Sequence, residues 1–223
     1  MILDVLHTDP GIPARSLVAD ALELLGASIV DGRCRHCGDP AAERAASAAT
    51  VVLADRSDLG VLDVRVGDGC GPRGPAVAQT LPRGGWACRL TDDRELLIVP
   101  RDRIAAERDA RLGEGEDVVD LSAGHVVLVV AGPLAREALA RASALDLRSD
   151  RAPIGAYRPG SVAHVGAVVL REAEERYLVI AGAAHALHLW EVLVDAVIDL
   201  GGRPAGLEAL AGSTTDRQET ARA

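Results

Sequence analysis

Apolar residues recur at helical spacing from the start of the chain: Leu17, Val18, Ala21, Leu22, Leu24 and Leu25 mark an amphipathic helix over Pro13 to Ala27, with Ser16 placed to begin it. A second helix is expected from Asp39 to about Ala49, with Pro40 at its first position and Glu43 in its first turn. Short β-type runs follow at Val51 to Ala54, Val61 to Val66, Trp86 to Leu90, Glu95 to Val99, Val118 to Leu121 and Val126 to Ala131. Gly67 to Gly74 reads as a surface loop between them. Pro100 to Leu112 reads as a helix, and Gly132-Pro133 opens another that runs to about Ala142. Two further strands, Val162 to Arg171 and Arg176 to Ile180, precede a long helix from Ala183 to Leu200, which Gly201-Gly202 stops. The last dozen residues, Gly212 to Ala223, are small and polar and read as a disordered tail. Paired strands separated by helices predict an α+β fold of antiparallel sheets with packed helices, each sheet covered on one side. A βαβ protein would show more continuous apolar strands, each followed promptly by a helix.

Composition narrows the function. The chain has 223 residues and a formal net charge of −9. At this size a core can bury roughly 70 % of the unfolded surface, so stability needs neither metal nor disulfide. All the positive charge is arginine, because the sequence contains no lysine, and this excludes a Schiff-base lysine and a Walker-type phosphate lysine. An acidic chain whose aromatic residues are Trp86, Trp190, Tyr157 and Tyr177 offers no nucleic-acid surface. No apolar run approaches the roughly 18 residues needed to cross a bilayer, and the first twenty residues lack the layout of a secretory signal, so no membrane association and a cytoplasmic location are expected.

Motif chemistry is sparse. Cys34-Arg35-His36-Cys37 has the spacing at which two thiolates grip one zinc ion, but Cys70 and Cys88 stand 18 residues apart and form no second knuckle. A redox pair of the thioredoxin type needs a strand before the motif and a helix behind it; Asp39-Pro40 supplies the helix, and only Ile29 to Gly32 precedes. Ordinary free thiols are the reading preferred here, and no metal is expected. His185 and His188 share a helix face and read as solvent-facing, whereas His125 and His164 sit at apolar strand runs as core or edge residues. No G-x-S-x-G elbow occurs, and the repeated Asp-x-Ser at Asp55 to Ser57 and Asp120 to Ser122 reads as turn and capping chemistry. Gly132-Pro133 at a helix start has backbone N–H groups that suit an anion. Asp92-Asp93 and Glu174-Glu175 read as solvated hairpin turns.

Three blocks in the same order carry a resemblance. Cys37 to Asp68 (CGDPAAERAASAATVVLADRSDLGVLDVRVGD), Val118 to Leu147 (VVDLSAGHVVLVVAGPLAREALARASALDL) and Tyr177 to Leu210 (YLVIAGAAHALHLWEVLVDAVIDLGGRPAGLEAL) resemble the folate-binding aminomethyltransferase superfamily, that of the glycine cleavage T-protein. Within it the sequence looks most like the gamma-subunit family of heterotetrameric sarcosine oxidases. The resemblance implies an α+β fold around a folate site, corresponding to the N-terminal part of a T-protein without its C-terminal barrel. It implies one domain over residues 1–211, with a division into intertwined subdomains at about 14–115 and 116–211 left open. Family enzymes carry an acidic residue after a glycine pair, where this chain reads Gly84-Gly85-Trp86-Ala87-Cys88. They carry an arginine after a Pro-x-Gly-Leu turn, where this chain reads Gly206-Leu207-Glu208-Ala209-Leu210. The pterin-binding glutamate of their Gly-Glu-x-Gly segment has its nearest counterpart in Glu174, without the glycines, and the Lys-Gly-Cys motif of the iron–sulfur assembly relatives is missing. These departures imply an accessory subunit or folate-binding module without catalytic residues, partnered with flavin-dependent amine oxidase subunits or other one-carbon enzymes. The alternative is a tetrahydrofolate-dependent aminomethyltransferase-type enzyme with a rearranged acid. If tetrahydrofolate binds, family position assigns Asp55, Trp86, Glu174 and Tyr177 to its site; for Trp86 and Tyr177, core packing is the competing role.

Overall fold

The computed structural model describes residues 16–66 and 77–211. In chain order the elements are α1 (Ala19–Leu24), β1 (Ala27–Val30), β2 (Arg33–Cys37), α2 (Pro40–Ala49), β3 (Val52–Asp55), β4 (Leu59–Arg65), β5 (Gln79–Thr80), β6 (Trp86–Thr91) and β7 (Arg94–Pro100). There follow α3 (Ile104–Gly113), β8 (Asp117–Asp120), β9 (His125–Ala131), α4 (Ala135–Ala142), β10 (Tyr157–Val162), β11 (Val165–Ala173), β12 (Arg176–Gly182), α5 (Ala186–Ile198) and β13 (Arg203–Ala205). The fold is α+β with antiparallel sheets, as the pattern predicts. Six strands form a large sheet in the order β10-β11-β12-β9-β3-β13, five form a small sheet in the order β5-β6-β7-β4-β8, and β1 and β2 form a separate hairpin. Among the described residues, the one parallel pairing joins β13 to β3.

Alternation along the strands explains how the layers stack. Val126, Leu128 and Val130 of β9, with Leu53, Tyr177 and Val179, pack under Ala138 and Leu139 of α4 and Leu189, Trp190 and Leu193 of α5. Val127, Val129, Leu178 and Ile180 face the other way, against Val61, Cys88, Leu96 and Ile98 of the small sheet. The small sheet turns Leu62, Val64, Leu97 and Val99 outward beneath Ile104, the first residue of α3. Each sheet is therefore covered on both faces, not on one as the sequence suggested. That is why β9 and β12 read as nearly unbroken apolar runs although they pair antiparallel: burial of both faces, rather than parallel pairing, requires such a run.

Three local expectations change. The first helix is shorter, ending before Gly26 (φ +73°), because the chain turns there into the β1–β2 hairpin; residues 13–15 of the expected span lie outside the described residues. The strand expected over Val162 to Arg171 is broken by a tight turn in which Ala163 and His164 both take positive φ (51° and 64°), so β10 and β11 form a hairpin with His164 exposed at its tip. The predicted helix from Ala183 begins with a 3-10 turn, Ala183–His185, before α5. The loop Gly67 to Gly74 and the tail from Gly212 lie outside the described residues.

Candidate functional site

At one end of the large sheet β9 runs out into Gly132, beside the β11–β12 turn. Gly132 N–H donates to the Glu175 carbonyl at 2.8 Å, and Leu134 N–H donates to Thr50 O at 2.9 Å. Gly132 holds φ +119°, and a Cβ there would stand 2.6 Å from Thr50 O, so the close approach of two backbones demands glycine. This junction opens a cleft of about 230 Å³ lined by Gly132, Pro133, Arg136, Ser149, Arg171, Glu174, Glu175 and Tyr177. Gly132, Arg171 and Tyr177 are its buried residues, while Arg136, Ser149, Glu174 and Glu175 are exposed.

Arg171 organises the floor. It is 8 % exposed, donates from Nη1 to Ala152 O (2.7 Å) and from Nη2 to Glu174 O (2.8 Å), and stands 5.9 Å from the centre of the Tyr177 ring. Its Nε has no hydrogen-bond partner. Burial pushes the Tyr177 phenol above its ordinary range, so the ring stays protonated at neutral pH. Two guanidinium groups and two carboxylates around so small a space suit a compact ligand carrying both charges.

The residues singled out by family position lie in three places. Glu174 and Tyr177 share the cleft. Asp55 ends β3, 2 % exposed, hydrogen-bonded to Ser16 and Ser57 with Oδ2 unpartnered, and burial pushes its carboxyl above the usual aspartate range. Trp86 opens β6 opposite Thr80 and Ile98 and packs, half buried, against the core between the sheets. Neither Asp55 nor Trp86 lines the cleft. That cleft is also smaller than the roughly 300–1,000 Å³ of ordinary small-molecule sites.

The cysteine motif lies in β2, with the two sulfurs 3.6 Å apart; among the described residues no group of three or more His, Cys, Asp or Glu side chains is arranged to hold a metal ion. His125 Nδ1 lies 3.2 Å from Leu121 O, and His188, though exposed, brings Nε2 to 3.1 Å from Ala163 O. Ser122 accepts from Val61 N–H at 3.0 Å, in keeping with a turn role. Asp92-Asp93 and Glu174-Glu175 form the tight turns of the β6–β7 and β11–β12 hairpins. Two residues escaped sequence reasoning. Arg171 is legible only as a charge inside an apolar strand run. Glu43 passes for an ordinary first-turn acid, yet it is fully buried, accepting from Cys37 N–H (2.6 Å) and Gly206 N–H (2.9 Å).

A family pattern described as the GCVT N-terminal domain matches residues 87–218, more than half of the chain. The chain belongs to this family. No match is found among curated proteins. Among solved structures, a heterotetrameric sarcosine oxidase from Corynebacterium sp. U-96, in complex with pyrrole 2-carboxylate, is similar over 85 % of this chain and 97 % of the matched chain, at 20 % identity and a TM-score of 0.64. The glycine cleavage system aminomethyltransferase T from Bartonella henselae is similar over 88 % of this chain, at 16 % identity and a TM-score of 0.72; this chain spans 60 % of its length. Family and fold agree with the resemblance carried by the three sequence blocks. No helix among the described residues is long and apolar enough to cross a membrane.

Proposed function

We propose that this GCVT-family chain is an accessory subunit of the sarcosine oxidase gamma type, joining flavin-dependent amine oxidase subunits without catalysis of its own. The observation that carries the reading is the separation of the four residues given by family position: Asp55 ends β3 buried beside Ser16 and Ser57, Trp86 packs half buried against the core between the sheets, and Glu174 and Tyr177 line a small cleft that neither of the others lines. A catalytic folate site needs its acid and its stacking surfaces around one ligand. The missing acid after Gly84-Gly85 supports the same reading. So does similarity to a chain from a multi-subunit amine oxidase. A cytoplasmic location accompanies the proposal.

Titration with 5-formyltetrahydrofolate, read by thermal shift, together with co-expression beside flavin-dependent amine oxidase subunits, tests the proposal. A stable co-purifying complex and no ligand-induced stabilisation well above micromolar concentration are expected, because a ligand bound only to the native state must raise apparent stability. Saturable stabilisation that Glu174→Gln abolishes, from a chain that stays alone on co-expression, would overturn it in favour of a tetrahydrofolate-dependent aminomethyltransferase-type enzyme.

A further inference from the structure

The hairpin that carries Cys34 and Cys37 contains an irregularity that changes what the pair can do. In a regular strand, residues three apart point to opposite faces. Here Ile29 opposes Cys34 and Ser28 opposes His36, so Arg35 is the extra residue of a β-bulge, and Cys37 pairs with Ala27. The extra residue resets the alternation and brings both sulfurs to one face, in contact at 3.6 Å. Both thiols are free; Cys34 is 1 % exposed and Cys37 is half buried. The strand is clamped at this point: Glu43 holds the Cys37 N–H, and a Cβ on Gly206 would meet the Arg35 carbonyl at 2.2 Å.

We propose that Cys34 and Cys37 form a reversible dithiol–disulfide site, oxidised by hydrogen peroxide, with Cys37 as the attacking thiol and Cys34 as the resolving one. Burial assigns the roles, since only Cys37 has surface that an oxidant can reach. The Cys37 sulfur, as thiolate, attacks one peroxide oxygen; an S–O bond forms, the O–O bond breaks, and hydroxide leaves to become water. The Cys34 sulfur then attacks the Cys37 sulfur; the S–S bond forms, the S–O bond breaks, and a second water departs with the Cys34 proton. Two thiols thereby lose two electrons and two protons, and the peroxide becomes two waters. Contact with Cys34, burial and the nearby Glu43 and Asp55 carboxylates all hold the Cys37 thiol above its usual range, so oxidation is slow beside that of a low-pKa sensor cysteine.

The test is peptide mapping of the full chain after mild peroxide treatment at slightly alkaline pH, with alkylation before and after dithiothreitol. The expected product is a peptide containing Cys34 and Cys37 that has lost two hydrogens and takes up alkylating agent only after reduction. Cys34→Ser is expected to strand Cys37 as a sulfenic acid, which dimedone traps. Cys34 and Cys37 both alkylated without reduction in the treated wild-type chain, a bridge from either residue to Cys70 or Cys88, or Cys37 driven to sulfinic acid with Cys34 still reduced would each overturn the proposal. The wild-type mapping stands whether or not the variant folds.

Discussion

The two sheets hold their charges in opposite ways. Around the large sheet, the two buried acids are served by backbone or hydroxyl groups: Glu43 accepts two N–H bonds from segments far apart in sequence, and Asp55 accepts from serines while one oxygen goes unpartnered. Around the small sheet, acids meet arginines. Asp63 pairs with Arg94 at 2.7 Å, and Arg111 reaches Glu95, Glu107 and Glu116 at 3.6, 3.4 and 3.2 Å. The difference follows from cover. The large sheet lies between α4 and α5 on one face and another sheet on the other, and the arginine it buries, Arg171, sits at its end beside the cleft. Among the described residues, the outer face of the small sheet packs against Ile104 of α3 and Leu81, and arginine stems can lie along it with their heads near water. An all-arginine chain suits this arrangement, since the planar guanidinium serves several carboxylates at once.

Four substitutions sharpen or break this contrast. The largest effect is expected for Leu128→Ala, which opens a cavity beneath α4 and α5 and should cost about 4 kcal/mol in urea unfolding. Glu43→Gln replaces an acceptor by a donor facing an N–H, at a cost of about 3 kcal/mol, and should loosen the β1–β2 hairpin in amide exchange. Arg111→Met should cost about 1 kcal/mol, and the loss should shrink as salt is raised; a salt-independent loss would mean that the small sheet is held by packing instead. Asp55→Asn gives the smallest change and the opposite sign. Because burial holds the Asp55 carboxyl above its unfolded value, the native chain keeps a proton that the unfolded chain has released. Its contribution is therefore most favourable below about pH 4 and is lost as pH rises through the higher folded value. Asp55→Asn removes that slope, so the variant should match or exceed the parent at neutral pH in thermal unfolding.

Much of the architecture was legible because it depends on runs and periods. β9, β12, α4 and α5 carry their burial in their own residues, so apolar alternation and spacing reveal them. β10 does not: Pro159 and Gly160 interrupt it, and its turn is made by Ala163 and His164 at positive φ without the glycine or asparagine that usually marks such a turn. The β1–β2 hairpin hides because Arg33 to Cys37 alternates no apolar residues, and its register depends on a bulge. The cleft was half legible. Gly132-Pro133 and the Glu174-Glu175 turn stand out, but Arg171 becomes part of the site only through Ala152 and Tyr177, which tertiary pairing supplies. Glu43 is the extreme case, because its second partner, Gly206, arrives from the far end of the chain.

The place of β3 in the large sheet bears on how the protein is made. The small sheet is complete in sequence by Asp120, so it can close while the rest is still being synthesised. β3 is made earlier still, yet both its neighbours come later: β9 ends at Ala131 and β13 at Ala205. Until then a strand of four buried residues has two unpaired edges, the kind of surface that chaperones shield and neighbouring chains capture. Emergence of β13 from the ribosome, not growth of the hydrophobic core, is then the event that retires this hazard.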